Sequence, residues 1–175
     1  VTGHLLVSGN TLNLVVDSYT GPISWNTGNG TWNTSTPNWV DALLAPATFV
    51  DGGDAVVFGD ASGATGNPVV TLNSALPPTT VTVNSASHNY TLSGTGGIIG
   101  NGSLAVQNGT LTLATTNAYT GGTTVGGGTL QISGDGTMGA STGALTVSGG
   151  TVDLGTTSRT KGAVTIAGGT ITNGI

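Results

Sequence analysis

The stretch Ser103–Leu113, SLAVQNGTLTL, contains two short segments in which apolar and small polar residues alternate. Leu104 and Leu111 begin the two apolar sets and lie seven residues apart, with Asn and Gly between them. Alternation with a period of two is typical of half-buried strands, and Asn-Gly is a turn former. The stretch therefore predicts two short strands joined by a tight corner.

The same spacing recurs along the chain. Seven residues also separate Leu145 from Val152, Val164 from Ile171, and Leu5 from Leu12. A second spacing, of 19 residues, separates Leu111 from Leu130, Leu145 from Val164, and Val152 from Ile171. A repeat of this kind, built from short strands and turns, predicts an all-β parallel β-helix (β-solenoid) with coils of about 20 residues. Each strand would pair with its equivalent one coil away.

Alternate positions in these strands are expected to face a shared core. Inward side chains of successive coils would stack into apolar ladders, and the β-branched threonines between them would face solvent. The predicted inward residues are Leu104, Val106, Leu111, Leu113, Leu130, Ile132, Leu145, Val147, Val152, Leu154, Val164 and Ile166. At about 4.8 Å per coil, roughly eight or nine coils would form a rod about 40 Å long.

The composition excludes several kinds of protein. Charged residues are 5% of the chain and the net charge is −5, whereas an average globular protein is about 25% charged. Arg159 and Lys161 are the only basic residues other than histidine, so no basic patch exists and we expect no nucleic-acid partner. No apolar run is long enough to predict membrane insertion. The absence of cysteine excludes disulfides and thiolate metal sites.

One segment interrupts the repeat. Trp25, Trp32 and Trp39 lie seven residues apart within turn-forming runs such as NTGNGT and NTSTPN, which exclude a helix. The chain is therefore divided within one continuous domain into initial solenoid coils at 1–24, a Trp-rich irregular segment packed on the solenoid at 25–60, and regular coils at 61–175.

The stretch Asn117–Ser133, NAYTGGTTVGGGTLQIS, closely resembles the signature of the autotransporter-associated β-strand repeat, an Asn-x-Tyr-x-Gly-Gly-Thr core followed by Gly-Thr-Leu. The matching residues are Asn117, Tyr119, Gly121, Gly122, Thr123, Gly128, Thr129 and Leu130. The segments Asp54–Phe58 (DAVVF) and His88–Leu104 (HNYTLSGTGGIIGNGSL) also resemble this family. The resemblance implies a right-handed, passenger-type β-helix displayed outside a bacterial cell, with structural signature residues and no implied reaction.

Two short motifs are similar to catalytic or nucleotide-binding patterns. Gly139–Gly143 (GASTG) fits a nucleophile elbow, but a strand follows it and both histidines precede Ser141. Gly134–Gly139 (GDGTMG) fits the G-x-G-x-x-G pattern, but no helix can follow to receive a pyrophosphate. Both motifs are interpreted as turns between coils.

The carboxylates cluster at Asp51, Asp54 and Asp60. Their spacing matches neither an EF-hand nor the nonapeptide calcium repeat, and aspartates beside glycines predict turns. No catalytic residue, cofactor or metal site is therefore predicted, although calcium near Asp51 and Asp54 stays open.

The tryptophans have two interpretations. An indole face can stack on a sugar ring, which makes Trp25, Trp32 and Trp39 candidate glycan contacts. Tryptophans are more often buried as large apolar side chains. The second interpretation is favoured.

These observations predict a non-enzymatic structural or adhesive module, secreted or at the cell surface and part of a longer protein or a head-to-tail fibre. The alternative is a carbohydrate-binding module. The expected partners are further copies of the chain stacked head to tail or adjacent repeats of the same chain, with surface glycans also possible. Neither end shows a capping helix, charge or proline of the kind that closes a soluble solenoid, so stacking is expected to continue at both ends.

Overall fold

The computed structural model describes residues 2–18, 21–61 and 63–175. It is all-β and forms a β-solenoid of about five turns, with coils about 22 residues apart. The predicted fold class is confirmed. The turns are fewer than the eight or nine expected because part of the chain before Ala55 forms other structure and because the corners between strands differ in length.

The first strands form a hairpin. Strands β1 (Thr2–Ser8) and β2 (Thr11–Ser18) pair antiparallel in a two-stranded sheet of their own. The expectation of an initial solenoid coil over 1–24 therefore differs from the structure. The two strands are joined by Gly9 and Asn10, and Gly9 has a positive φ of 60°. A two-residue connection of this kind closes a hairpin, whereas parallel strands need a long crossover. Val1, Tyr19 and Thr20 lie outside the described residues.

The next strands close one end of the solenoid. They are β3 (Ile23–Trp25), β4 (Gly30–Thr31), β5 (Trp39–Val40) and β6 (Pro46–Ala47), followed by β7 (Ala55–Gly59). β3 pairs parallel with β7 on one side and antiparallel with β5 on the other, and β6 pairs antiparallel with β5. The parallel stack therefore ends at β3. The expectation that this end has no cap is wrong, because the antiparallel strands cover it and Pro46 lies in the last strand, where a missing N–H is tolerated.

The remaining strands build the coils. They are β8 (Val69–Thr71), β9 (Ala75–Leu76), β10 (Thr80–Ser93), β11 (Gly97–Ile98), β12 (Ser103–Leu113), β13 (Thr123–Val125), β14 (Thr129–Ile132), β15 (Leu145–Val147), β16 (Thr151–Asp153), β17 (Val164–Ile166) and β18 (Thr170–Thr172). One face runs through β7, β10, β12, β13, β15 and β17, and a second through β8, β10, β12, β14, β16 and β18. β10 and β12 continue around the corner between these faces. The pair β9 and β11 lies on a third side.

The register between coils agrees with the 19-residue spacing. Leu111 pairs with Leu130, Leu145 with Val164, and Val152 with Ile171. Most predicted inward side chains are buried, and Leu154 is partly buried against the core. Val164 and Ile166 are the exceptions, at 52% and 55% exposed. They belong to β17, for which β15 is the one pairing partner among residues 2–18, 21–61 and 63–175.

Candidate functional site

The three tryptophans lie together within β3 to β6, the segment that closes one end of the solenoid and is called the aromatic cap below. Trp25, Trp32 and Trp39 are each 0% exposed. Ring centroids are 5.0 Å apart for Trp25 and Trp39 and 5.2 Å apart for Trp32 and Trp39, with edge-to-face geometry in both pairs. Phe49 and Phe58 pack against the same rings. No indole face in this cluster is open to a sugar ring, so the structure contradicts the glycan-stacking interpretation of these three residues.

The three indole N–H groups differ in their hydrogen bonding. Trp25 Nε1 donates to the Gly28 carbonyl at 3.1 Å. The Nε1 atoms of Trp32 and Trp39 are buried and have no hydrogen-bond partner among the described residues. An unpaired buried donor costs free energy, so apolar packing, rather than hydrogen bonding, stabilises this pair.

Asn117, from the signature sequence, joins three successive coils. Its side chain is 3% exposed. Oδ1 accepts the backbone N–H of Ile98 in the preceding coil at 2.9 Å, and Nδ2 donates to the Thr137 carbonyl in the following coil at 2.7 Å. Nδ2 also donates to the Thr115 carbonyl at 2.8 Å. The amide therefore adds to the backbone hydrogen bonds between coils at this corner, such as Ala118 N to the Ile98 carbonyl.

Tyr119 and Thr123 form a second buried connection. The Tyr119 hydroxyl lies 2.8 Å from Thr123 Oγ1, which in turn donates to the Met138 carbonyl at 3.2 Å. Both side chains are at most 2% exposed. Burial raises the pKa of Tyr119 above its ordinary value, partly offset by the Thr123 hydrogen bond. The phenol is therefore a neutral structural group.

The signature glycines lie where backbones approach closely. A Cβ at Gly121 would lie 2.6 Å from the carbonyl oxygens of Asn101 and Gly102, and Gly128 combines a φ of 63° with a collision against the Gly109 carbonyl. Gly122 has a φ of 86°. Thr129 and Leu130 continue into β14, where Leu130 is fully buried. These residues shape the coil.

The aspartates do not converge. Asp54 Oδ2 accepts the Val50 N–H at 2.7 Å within a turn, and Asp51 is exposed. Asp60 accepts the Ser85 hydroxyl and, at 2.8 Å, the Ala86 N–H. These hydrogen bonds, that of Ser85 first, lower the pKa of Asp60 from 3.8. Across 2–18, 21–61 and 63–175, no three His or acidic side chains are grouped to hold a metal ion.

The two cations lie in one groove, which the sequence did not predict. Arg159 Nε and Nη2 donate to the carbonyls of Gly136 and Gly134, each at 3.0 Å. Lys161 Nζ donates to the carbonyls of Met138 and Ala140, each at 2.8 Å. Burial lowers the pKa of Lys161.

One coil earlier, backbone N–H groups, and not cationic side chains, donate to the carbonyls of the neighbouring coil. Thr137 N donates to the Thr115 carbonyl, and Ala140 N to the Tyr119 carbonyl. The groove next to the cations encloses about 370 Å³ and also contains Ser141. A turn between Ala140 and Gly143 and then β15 follow this serine, so its surroundings are not those of a nucleophile elbow.

Comparison with known proteins supports the repeat. Residues 107–132 match the model of the passenger-associated-transport-repeat. This match and the β-solenoid fit an autotransporter passenger repeat family. No curated protein and no solved structure matches the chain. Within the described residues, no helix is long and apolar enough to cross a membrane.

The matched segment contains the buried polar side chains described above. The match includes Asn117, Tyr119 and Thr123 and ends at Ile132, the last residue of β14. A passenger-type repeat module is the class that the fold and this match indicate.

Proposed function

We propose that the protein is a structural module of an extracellular passenger, displayed at a cell surface, where it extends or presents other parts of the assembly. The observation that carries this proposal is the use of polar groups in the matched repeat. The side chains of Asn117, Tyr119 and Thr123 are all buried. Asn117 and Thr123 donate to carbonyls of the next coil, and Tyr119 is hydrogen-bonded to Thr123 within its own coil. These buried hydrogen bonds stabilise the solenoid. A spacer or scaffold needs such stability, whereas a catalyst needs polar groups that substrate can reach.

Surface display is tested with antibodies against the chain, applied to the cells that produce it. We expect equal labelling of intact and permeabilised cells. Labelling that requires permeabilisation would contradict the extracellular role. A periplasmic protein of the same strain, labelled only after permeabilisation, is the control.

Carbohydrate binding, the alternative expected from the sequence, would need a surface other than the tryptophans. Trp25, Trp32 and Trp39 are covered by one another and by phenylalanines. The structural role is therefore the function proposed.

The module is further proposed to associate with a second copy, head to tail. Within the part of the chain that the structure describes, β17 and β18 each pair on one side, and Val164 and Ile166 are half exposed. In the hairpin, Leu5 and Val7 are 64% and 68% exposed. The coil formed by β17 and β18 is called the open coil. Contact between the hairpin of one copy and the open coil of the next would bury the exposed apolar side chains of both. Such a heterologous contact joins copies into a chain and does not form a closed dimer.

Complementation tests this association. Val7→Asp damages the hairpin and Ile166→Asp the open coil, so in sedimentation velocity each variant alone should be monomeric. A mixture should form a one-to-one complex because one intact surface of each kind remains. A monomeric unsubstituted chain at micromolar concentration, or a mixture that does not pair, would refute the head-to-tail contact.

A further inference from the structure

The corner within β12 contains an unusual pair, Asn108 and Gly109. Asn108 is exposed, and its Oδ1 accepts the N–H of Gly109, the next residue, at 2.9 Å. The side-chain carbonyl is therefore held against the backbone nitrogen that follows it. This nitrogen is the atom that attacks an asparagine side chain when a succinimide forms.

We propose that Asn108 is a site of spontaneous, structure-promoted deamidation. The Gly109 nitrogen loses its proton and forms a bond to Asn108 Cγ. The Cγ–Nδ2 bond breaks, Nδ2 takes a proton, and ammonia leaves. Water then opens the succinimide to aspartate or isoaspartate. No oxidant, metal or enzyme takes part, and close placement of the reacting atoms favours the first step.

Three other Asn-Gly pairs in the chain provide an internal comparison, because their side chains are held by other residues. Asn29 Oδ1 accepts the Val69 N–H at 2.8 Å. Asn101 Oδ1 accepts the Thr120 hydroxyl at 3.2 Å. Asn173 Nδ2 donates to Asp153 Oδ1 at 2.9 Å. Each of these bonds crosses to a different coil and holds the amide in place.

The fold requires the glycine that makes Asn108 reactive. Gly109 has a φ of 76°, and a Cβ there would collide with the carbonyl of Ser85. Any larger residue would shield the nitrogen, but the corner does not admit one. The product carries a new negative charge, and as isoaspartate it adds a carbon to the main chain where Asn108 pairs with Asn84.

The experiment compares the four pairs in one sample. The folded protein is incubated at mildly alkaline pH and digested with pepsin in acid, and the conversion of each asparagine is followed by peptide mass spectrometry. We expect Asn108 to convert at least about tenfold faster than Asn29, Asn101 or Asn173. In the urea-unfolded chain the four rates should become similar, because glycine follows each asparagine.

One control variant makes the result decisive. Asn108→Gln should remove the fast conversion and leave the other three rates unchanged, because a longer side chain requires a larger ring. Equal rates for the four pairs in the folded protein, or a slower rate at Asn108 than at the others, would overturn the proposal.

Discussion

The Nδ2 atom of Asn117 lies 2.7 Å from the carbonyl oxygen of Thr137, 20 residues further along the chain and one coil away. The same side chain accepts the N–H of Ile98 in the coil on its other side. One amide therefore spans three layers of the solenoid.

Replacement of Asn117 should be costly. Asn117→Ala leaves the Ile98 N–H and the Thr137 carbonyl without these partners, at about 1–3 kcal/mol for each buried unsatisfied group. We expect the free energy of unfolding to fall by about 3 kcal/mol or more in urea denaturation. Thr116→Ala, at the exposed neighbour, should change it by less than about 0.5 kcal/mol. Equal effects of the two variants would show that the amide does not join the coils.

Two glycines separate backbone strain from steric collision. Gly128 and Gly134 have φ values of 63° and 55°, but only Gly128 has a backbone carbonyl in the place of an added Cβ. Gly134→Ala should cost about 1–2 kcal/mol for the left-handed conformation alone. Gly128→Ala should cost clearly more, because the coils must also move apart. Similar melting temperatures for the two variants would contradict this close approach.

The inward and outward sides of β12 can be tested with one charge. Leu111 is 0% exposed and Thr112 faces outward beside Gln131. Leu111→Asp places a carboxylate in an apolar ladder and should cost several kcal/mol, about 4 or more. Thr112→Asp should cost less than about 1 kcal/mol. Thermal unfolding followed by circular dichroism would distinguish the two, and comparable losses would mean that the ladder is assigned wrongly.

Asp60 should make stability depend on acid pH. Its folded-state pKa is lowered from 3.8, chiefly by the Ser85 hydroxyl. The ionised group therefore stabilises the fold fully above about pH 4, and this stabilisation is lost as the pH falls through the lower folded-state value. Asp60→Asn should melt lower than the unsubstituted protein at neutral pH, and the difference should shrink in acid.

The control for this pH dependence is Asp135→Asn, in an exposed turn. Its melting temperature should follow that of the unsubstituted protein at every pH. A difference for Asp60→Asn that stays constant from neutral pH into acid would show that the carboxylate charge does not matter.

The aromatic cap should be visible in fluorescence. With three fully buried indoles, emission should be blue-shifted and resistant to iodide quenching until the protein unfolds. Trp32→Ala should reduce stability by about 3–5 kcal/mol because it leaves a large cavity. Strong quenching of the folded protein would show that the indoles are exposed and would restore the glycan-stacking interpretation.

The coil register could be predicted from the sequence because the signals are local. Leu111 and Leu130 each lie in an alternating strand next to glycine, so their spacing gave the pairing that the structure shows. The hairpin could not be distinguished in this way, because Leu5 and Leu12 have the spacing that also fits two strands of a coil.

Other features depend on contacts that no local pattern encodes. Asp60 bonds to Ser85, 25 residues later, and Arg159 to Gly134, 25 residues earlier. The cap depends on the antiparallel return of Trp39 beside Trp25. Short segments rich in turn formers do not indicate the direction in which they will pair.

The aromatic cap also affects the order in which the parts of the solenoid fold. Each coil pairs with a neighbour about 20 residues away, so adding a coil closes only a short loop at a small entropic cost. In the cap, the pairing of β3 with β7 instead closes a longer stretch of chain. Because closing this longer loop costs more entropy, we expect the coils to form first, starting at any of them, and the cap to close on them afterwards.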